Sequence, residues 1–292
     1  MSNAPVVIYH ADCLDGIGAA WCFWDYYDGK VDLIPATYGD EAPLTERIQD
    51  KKVYLVDFSY PVEQLEHLCH VAKSVTAIDH HDSMVRALAS EPSLPDNLTM
   101  VLDVTKSGAV LAWQYLHTIS LTPAILLHIQ DRDLWEFKLP ETKAICAALY
   151  SNLLTVEVLN TSIQDPMGTI ALEAQGRILL RQEDRQVAKI LANNGTTWEL
   201  EDDVFIPAYN APGFLVSEIG NTALKECPDA AYIAIYEKQK GRWKVSLRSR
   251  KEDKGINVAK IAEIYGGGGH PSAAGFHCAT HTMLTFMLEV GN

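Results

Sequence analysis

The stretch Val75-Thr76-Ala77-Ile78-Asp79-His80-His81 decides how the chain is read. A run of β-branched and small apolar residues closes on a carboxylate and two imidazoles. Its length and composition are those of a buried strand. Polar residues at the carboxyl end of such a strand sit where open α/β sheets bind ligands. Two adjacent histidines alone could equally decorate a surface loop, so the weight falls on other segments that end in the same way.

Val6-Val7-Ile8-Tyr9-His10 reads as a first buried strand, running through Ala11-Asp12-Cys13-Leu14-Asp15-Gly16 into a helix from about Ile17 to Trp24. Asp15 alone would be an ordinary helix cap. Capping does not account for His10 and Asp12 at the same turn. Val31 to Ala36 is a second strand, placed toward an edge. Lys52 to Phe58 is a third, closing on Asp57 before a helix from Val62 to Ala72. Val75 to Asp79 is then the fourth strand, and Leu98 to Asp103 a fifth. Strands alternating with helices at this spacing predict βαβ units and a parallel sheet. Right-handed crossovers bring the carboxyl ends of all parallel strands to one edge. His10, Asp12 or Asp15, Asp57, Asp79 and His80 then converge there. Helices follow from Ala109 to His117 and from Pro123 to about Ile129. The second leads into Asp131-Arg132-Asp133, which adds two acidic candidates with a surface ion pair through Arg132 as the plain alternative.

Composition sets bounds on what this cluster can do. With 292 residues the chain exceeds one compact core, and two domains are expected. No apolar run is long enough to span a membrane, and the first residues show no secretion signal. Six scattered cysteines without a CxxC pair argue for reduced thiols and a cytoplasmic protein. A net charge of −14 disfavours a broad surface for long duplex nucleic acid but not a short nucleotide substrate.

Carboxylates and imidazoles without cysteine suit Mn²⁺ or Mg²⁺. Four or more gathered carboxylates require cations to persist as charges. Two metals about 3.5–4 Å apart, sharing one carboxylate, make a phosphoryl-transfer site. Asp57 is the expected bridge. His81, beside the ligand His80 and next to Asp79, is expected to polarise the phosphoryl oxygen or protonate the leaving group.

The second half reads as helices over Pro140 to Tyr150, Val156 to Ile163 and Thr169 to Asn193, the last long enough to connect domains. Strands are expected at Val204 to Ala208, Ala231 to Tyr236 and Arg242 to Arg250, the last two joined by a hairpin signal at 238–241. A short helix from Val258 to Tyr265 precedes Gly266-Gly267-Gly268-Gly269-His270-Pro271-Ser272-Ala273-Ala274-Gly275-Phe276. Backbone N–H groups of such a loop can cradle an anion. Ser246, Arg248 and Arg250 share one strand face by alternation and are expected to look toward it.

Together these residues resemble the DHH phosphoesterase superfamily with its DHH-associated C-terminal domain. Asp79-His80-His81 looks like the naming motif; His10, Asp12 and Asp15 look like the first acidic motif, Asp57 the second and Asp131 the fourth. Gly266 to Phe276 looks like the C-terminal substrate-binding motif. The resemblance implies an α/β protein with three parts: a parallel-sheet DHH domain with flanking helices over residues 1–165, a helical connector over 166–195, and a smaller α/β substrate-binding domain over 196–292. It implies two metal ions, usually Mn²⁺, held by His10, Asp12 or Asp15, Asp57, His80 and Asp131. Asp79 and His81 would be catalytic, and Arg248, Gly267, Gly268, Gly269 and His270 would bind substrate. The first motif departs from the family's: two residues, Cys13 and Leu14, separate carboxylates that usually have one between them. The expected activity is hydrolysis of short oligonucleotides or linear dinucleotides, with nucleotide or polyphosphate hydrolysis, or non-cleaving nucleotide sensing, as alternatives. A homodimer is compatible with this reading, and no membrane partner is expected.

Overall fold

In the computed structural model, residues 4–37, 39–81, 84, 94–152, 155–200, 204–239, 241–250 and 256–280 are described. Asp82 and Ser83, next to the Asp79-His80-His81 triplet, and Lys240 of the hairpin signal lie outside them. The chain divides into two compact units, Met1–Leu180 and Arg181–Asn292.

The first unit is built on a five-stranded parallel sheet of β1 (Val6–His10), β2 (Asp32–Ala36), β3 (Lys52–Val56), β4 (Ser74–Asp79) and β5 (Leu98–Leu102), in the order β2-β1-β3-β4-β5. β1, β3 and β4 occupy the centre, which is why they read as near-continuous apolar runs. Alternation splits them cleanly. Val6, Ile8, Val53, Leu55, Val75 and Ala77 pack with α2 (Thr45–Ile48) and α3 (Val62–Val71). Val7, Tyr54, Val56 and Ile78 pack on the other side with α1 (Leu14–Tyr26), α4 (Gly108–Leu116), α5 (Ala124–Asp133), α6 (Thr142–Ser151) and α7 (Val156–Gln164). The central strands β1, β3 and β4 are covered on both faces, whereas the edge strand β5 is exposed at Thr99 and Met100. The expected edge position of the second strand is found.

α8 (Gly168–Asn193) is the long helix whose length suits a connector. The division between units falls inside it, so its first turns belong to one core and its last to the other: Leu172 packs in the first, Val187 in the second.

The second unit holds a six-stranded mixed sheet in the order β10-β11-β9-β8-β7-β6. Its strands are β6 (Gly195–Leu200), β7 (Val204–Asn210), β8 (Ile233–Gln239), β9 (Arg242–Arg248), β10 (Gly268–His270) and β11 (Ala273–Cys278). Only β7 and β8 pair in parallel. α9 (Val216–Glu226) covers one face and α10 (Val258–Ile264) the other. Among the described residues, no helix is long and apolar enough to cross a membrane.

Candidate metal centre

The carboxyl ends of β1, β3 and β4 deliver His10, Asp57 and Asp79-His80-His81 to one place. Asp57 follows β3 with φ of 53°, a left-handed conformation that Asp accepts at lower cost than most residues. Its carboxylate is 1% exposed and faces two imidazoles: Oδ2 is 3.5 Å from His10 Nδ1, and Oδ1 is 3.2 Å from His80 Nε2. Asp57 Oδ2 makes no hydrogen bond despite its burial. Asp15 joins from the first turn of α1 and Asp133 from the end of α5, with oxygens 3.7 Å and 3.5 Å from His80 Nε2. Two triads result, His10–Asp57–His81 and Asp15–His80–Asp133, each with donor atoms close enough to share one cation. The Asp57–His80 contact joins them.

Asp15 has a second task. Its carboxylate accepts from Gly108 N at 2.5 Å and Ala109 N at 3.0 Å, the first amides of α4. Those amides carry the positive end of the helix dipole, which favours an anion there. Gly108 is a site residue that reading the sequence alone passes over. A Cβ at that position would lie 2.6 Å from the Asp57 Cβ and 3.0 Å from Asp15 Oδ2. Only glycine lets α4 begin against both carboxylates. A helix N-terminus opening on Ser107-Gly108 was the available signal.

Asp79 is fully buried and belongs to neither triad. Its Oδ1 accepts from His80 N at 2.7 Å and His81 N at 3.1 Å, and lies 2.7 Å from His81 Nδ1. These contacts brace the turn and the His81 ring at its Nδ1 side. Such a carboxylate behind an imidazole is a common support of metal-site histidines.

Asp12 is exposed, at φ of 55°, and is absent from both triads. The extra residue in its motif is the reason. Cys13 takes the extended cap position before α1, Asp12 is turned out ahead of it, and Asp15 enters the helix and the cluster instead.

Asp131 likewise stays outside. Its Oδ1 accepts from Lys138 N at 2.7 Å, and its Oδ2 from Leu139 N at 3.0 Å and Thr142 Oγ1 at 2.6 Å. Asp133 stands at the cluster in its stead. The two are two residues apart on one helix, about 200° around its axis, so they cannot face the same point.

Charge and burial compete in the cluster. Burial, then the charges of Asp57 and Asp133, push the Asp15 carboxyl well above its usual range; burial and then Asp57 also raise Asp133. Burial would raise Asp57 too, but the imidazoles of His10 and His80 facing its two oxygens overcome it and hold that group well below the usual range. Burial opposes a charged His80, yet the bond to Asp57 and the charges of Asp15 and Asp133 raise it to about 10. His81 is raised by Asp79 against the same burial. Without cations, this cluster keeps its charges in balance by holding protons.

In the second unit, Gly266 ends α10, its N–H bonded to Glu263 O and that of Gly267 to Ala262 O. Gly268, Gly269 and His270 then form β10 at the sheet edge, opposite Gly275, Ala274 and Ala273. The expected open loop is thus half helix end and half strand, with His270 exposed. Arg248 lies on β9 beside β11, with its guanidinium donating to Leu247 O at 2.9 Å and Ser217 Oγ at 3.4 Å; burial lowers its pKa to about 10. Arg250, like Arg248, engages α9, whereas the expectation had it looking toward the glycine segment. It donates to Leu224 O, Cys227 O and Ala230 O, closing the carboxyl end of α9.

Residues 209–290 match the DHHA1 domain. An uncharacterised protein of Acanthamoeba polyphaga mimivirus is 28% identical over 289 residues, covering 94% of this chain and 67% of its own. Among solved structures, a pGpG-specific phosphodiesterase from Vibrio cholerae is similar over 99% of this chain and 100% of its own, at 11% identity and a TM-score of 0.51. RecJ from Thermus thermophilus, in complex with Mn²⁺, covers 99% and 51%, at 15% identity and 0.55. An exopolyphosphatase-related protein from Bacteroides fragilis covers 99% and 91%, at 14% and 0.50. These solved structures share the fold found here, and the matched segment likens the carboxyl-terminal part of the chain to a DHHA1 domain.

Proposed function

We propose that this protein is a divalent-metal-dependent phosphodiesterase that cleaves short oligonucleotides or linear dinucleotides to mononucleotides. One observation carries the reading: the buried Asp57 carboxylate touches an imidazole of each triad, with one oxygen making no hydrogen bond. That carboxylate lies beside Asp15 and Asp133, whose carboxyls burial and neighbouring negative charge push up, and a cation placed among them would relieve that repulsion. The donor set, all carboxylate oxygen and imidazole nitrogen, fits Mn²⁺ or Mg²⁺.

His10 and Asp57 would hold one cation, and Asp15, His80 and Asp133 a second. Bound there, the cations would supply an activated water and neutralise phosphate charge. Asp15 ties this centre to the start of α4, so the carboxylates are held before substrate arrives. Asp79 keeps the His81 ring fixed and favours its protonated form, the form that donates to a phosphoryl or leaving oxygen. Arg248 and the 267–270 segment would bind the substrate phosphate or base. That step rests on the DHHA1 match and on the half-buried Arg248 guanidinium on β9.

The test is a panel of linear dinucleotide, longer RNA, adenosine bisphosphate and polyphosphate, each with Mn²⁺ and the wild-type chain. Dinucleotide is expected to turn over fastest. Polyphosphate turned over while the dinucleotide stays intact would reverse the order.

Binding of the cation is expected to release protons, because His80 and Asp15 hold them above their ordinary ranges in the metal-free cluster. The sign is therefore fixed: Mn²⁺ affinity rises from pH 6 to pH 8. Calorimetry in two buffers of different ionisation enthalpy would read the protons directly; equal heats in both would contradict it.

A further inference from the structure

The loop after Asp133 is left unexplained by the metal centre. Trp135 and Phe137 stand at φ of 55° and 50°, conformations that bulky side chains rarely adopt. Asp131 holds them there: its carbonyl accepts from Glu136 N at 2.9 Å and Phe137 N at 3.2 Å, and its carboxylate takes the next two amides. Arg132, between the two aspartates, lies among aromatic rings. Its guanidinium carbon is 5.6 Å from the centroid of Trp135 and 5.2 Å from that of Tyr150. Trp135 meets Phe137 edge-on at 4.9 Å. Trp135 is half-buried and Tyr150 is 43% exposed. Burial pushes the Tyr150 hydroxyl up to about 12, and the Leu14 backbone, one residue before Asp15, and Arg132 act on it in the opposite direction. The stack therefore connects the first turn of α1 to the end of α5, the two places that supply carboxylates to the second triad.

We propose that the Trp135–Arg132–Tyr150 stack is a nucleobase platform beside the metal centre, so that the substrate must carry a base. The inference rests on the phosphodiesterase reading and deepens it. Flat aromatic and guanidinium surfaces hold any base by its π-face, with little regard to its identity. Inorganic polyphosphate could meet the Arg132 guanidinium but has no flat group to stack on the Trp135 and Tyr150 rings. Placing a base there would set the neighbouring phosphodiester at the carboxylates, and cleavage of only short chains would follow from gripping a terminal nucleoside.

The experiment compares the full-length wild type with Trp135→Ala and Trp135→Phe, using Mn²⁺, a linear dinucleotide and the same backbone lacking its bases. Trp135→Ala is expected to raise KM for the dinucleotide about 5- to 160-fold, the range for losing one stacked base, with kcat nearly unchanged. Its preference for dinucleotide over the base-free backbone should fall by the same factor, and Trp135→Phe should restore most of it. An unchanged KM, or an equal loss on both substrates, would overturn the platform and make the loop structural. If Trp135→Ala does not fold, Trp135→Leu against Trp135→Phe makes the same comparison, and equality overturns it. If the wild type cleaves no dinucleotide, the phosphodiesterase reading fails. Calorimetric binding of the dinucleotide to the same variants then decides the platform by itself: weaker binding to the variant lacking an aromatic ring supports it, and equal binding rejects it.

Discussion

Asp57→Asn is expected to lower kcat on the preferred phosphodiester on the order of 10³-fold, the scale for losing one preorganised charge-stabilising group, while the protein stays folded. Asp57 is the carboxylate whose two oxygens face an imidazole of each triad, and asparagine keeps its volume but not its charge. The amide would also turn an N–H₂ toward His10 or His80, both of which face Asp57 with ring nitrogens. In the metal-free protein the change relieves repulsion on Asp15 and Asp133, whose carboxyls Asp57 helps to raise. That relief is set against the lost attraction of His10 and His80 for the Asp57 charge, so the metal-free Tm should fall somewhat while the protein stays folded. The difference appears on adding Mn²⁺: at 100 times its Kd the wild type gains about 2.7 kcal/mol of stability, and the variant should gain little of it. Turnover and a thermal shift with and without Mn²⁺ check both parts. Wild-type turnover by Asp57→Asn would remove Asp57 from the centre of the reaction.

Much of this centre can be read from the chain because a parallel sheet has few ways to be wrong. Val6–His10, Lys52–Val56 and Ser74–Asp79 are apolar on both faces, and the crossover rule sends their carboxyl ends to one edge. His10, Asp57, His80 and His81 meet for that reason alone. What the sequence hides is rotation about helices. Asp131 and Asp133 look equivalent in the text, and only the position of α5 around its axis chooses between them. Asp12 and Asp15 are separated by where α1 starts, which Cys13 decides. The second unit is harder for another reason. α9 contains Gly220, Asn221 and Thr222, poor helix formers, and Gly220 is there because the Arg248 side chain packs on it: a Cβ would lie 2.5 Å from Arg248 Cγ. β10 and β11 are short, glycine-rich and paired through the sheet, so local propensity says loop while tertiary pairing says strand.

The two aspartates of α5 give the sharpest separation of chemistry from support. Asp133 has an oxygen 3.5 Å from His80 Nε2 and contributes to a triad. Asp133→Asn should weaken Mn²⁺ binding at least as much as losing an outer partner of a metal ligand does, about 10- to 100-fold, and lower activity with it. Its metal-free stability should hold or rise, because burial and Asp57 already disfavour that charge. Asp131→Asn should do the reverse. The wild-type carboxylate receives Lys138 N, Leu139 N and Thr142 Oγ1, and these donors, working against burial, keep it ionised below its usual range. An amide cannot accept on both sides, so a buried N–H is left facing another donor, at about 1–3 kcal/mol. For a unit the size of Met1–Leu180 this lowers Tm by roughly 2–12 °C, with Mn²⁺ affinity close to that of the wild type. Because Asp131 is ionised in the fold more readily than in the unfolded chain, its contribution is present above the ordinary aspartate range and fades as pH falls through its lowered value. The Tm gap between wild type and Asp131→Asn should therefore narrow in acid. Should Asp131→Asn lose the metal while Asp133→Asn keeps it, α5 is turned the other way about its axis, and the cluster is built from the other aspartate.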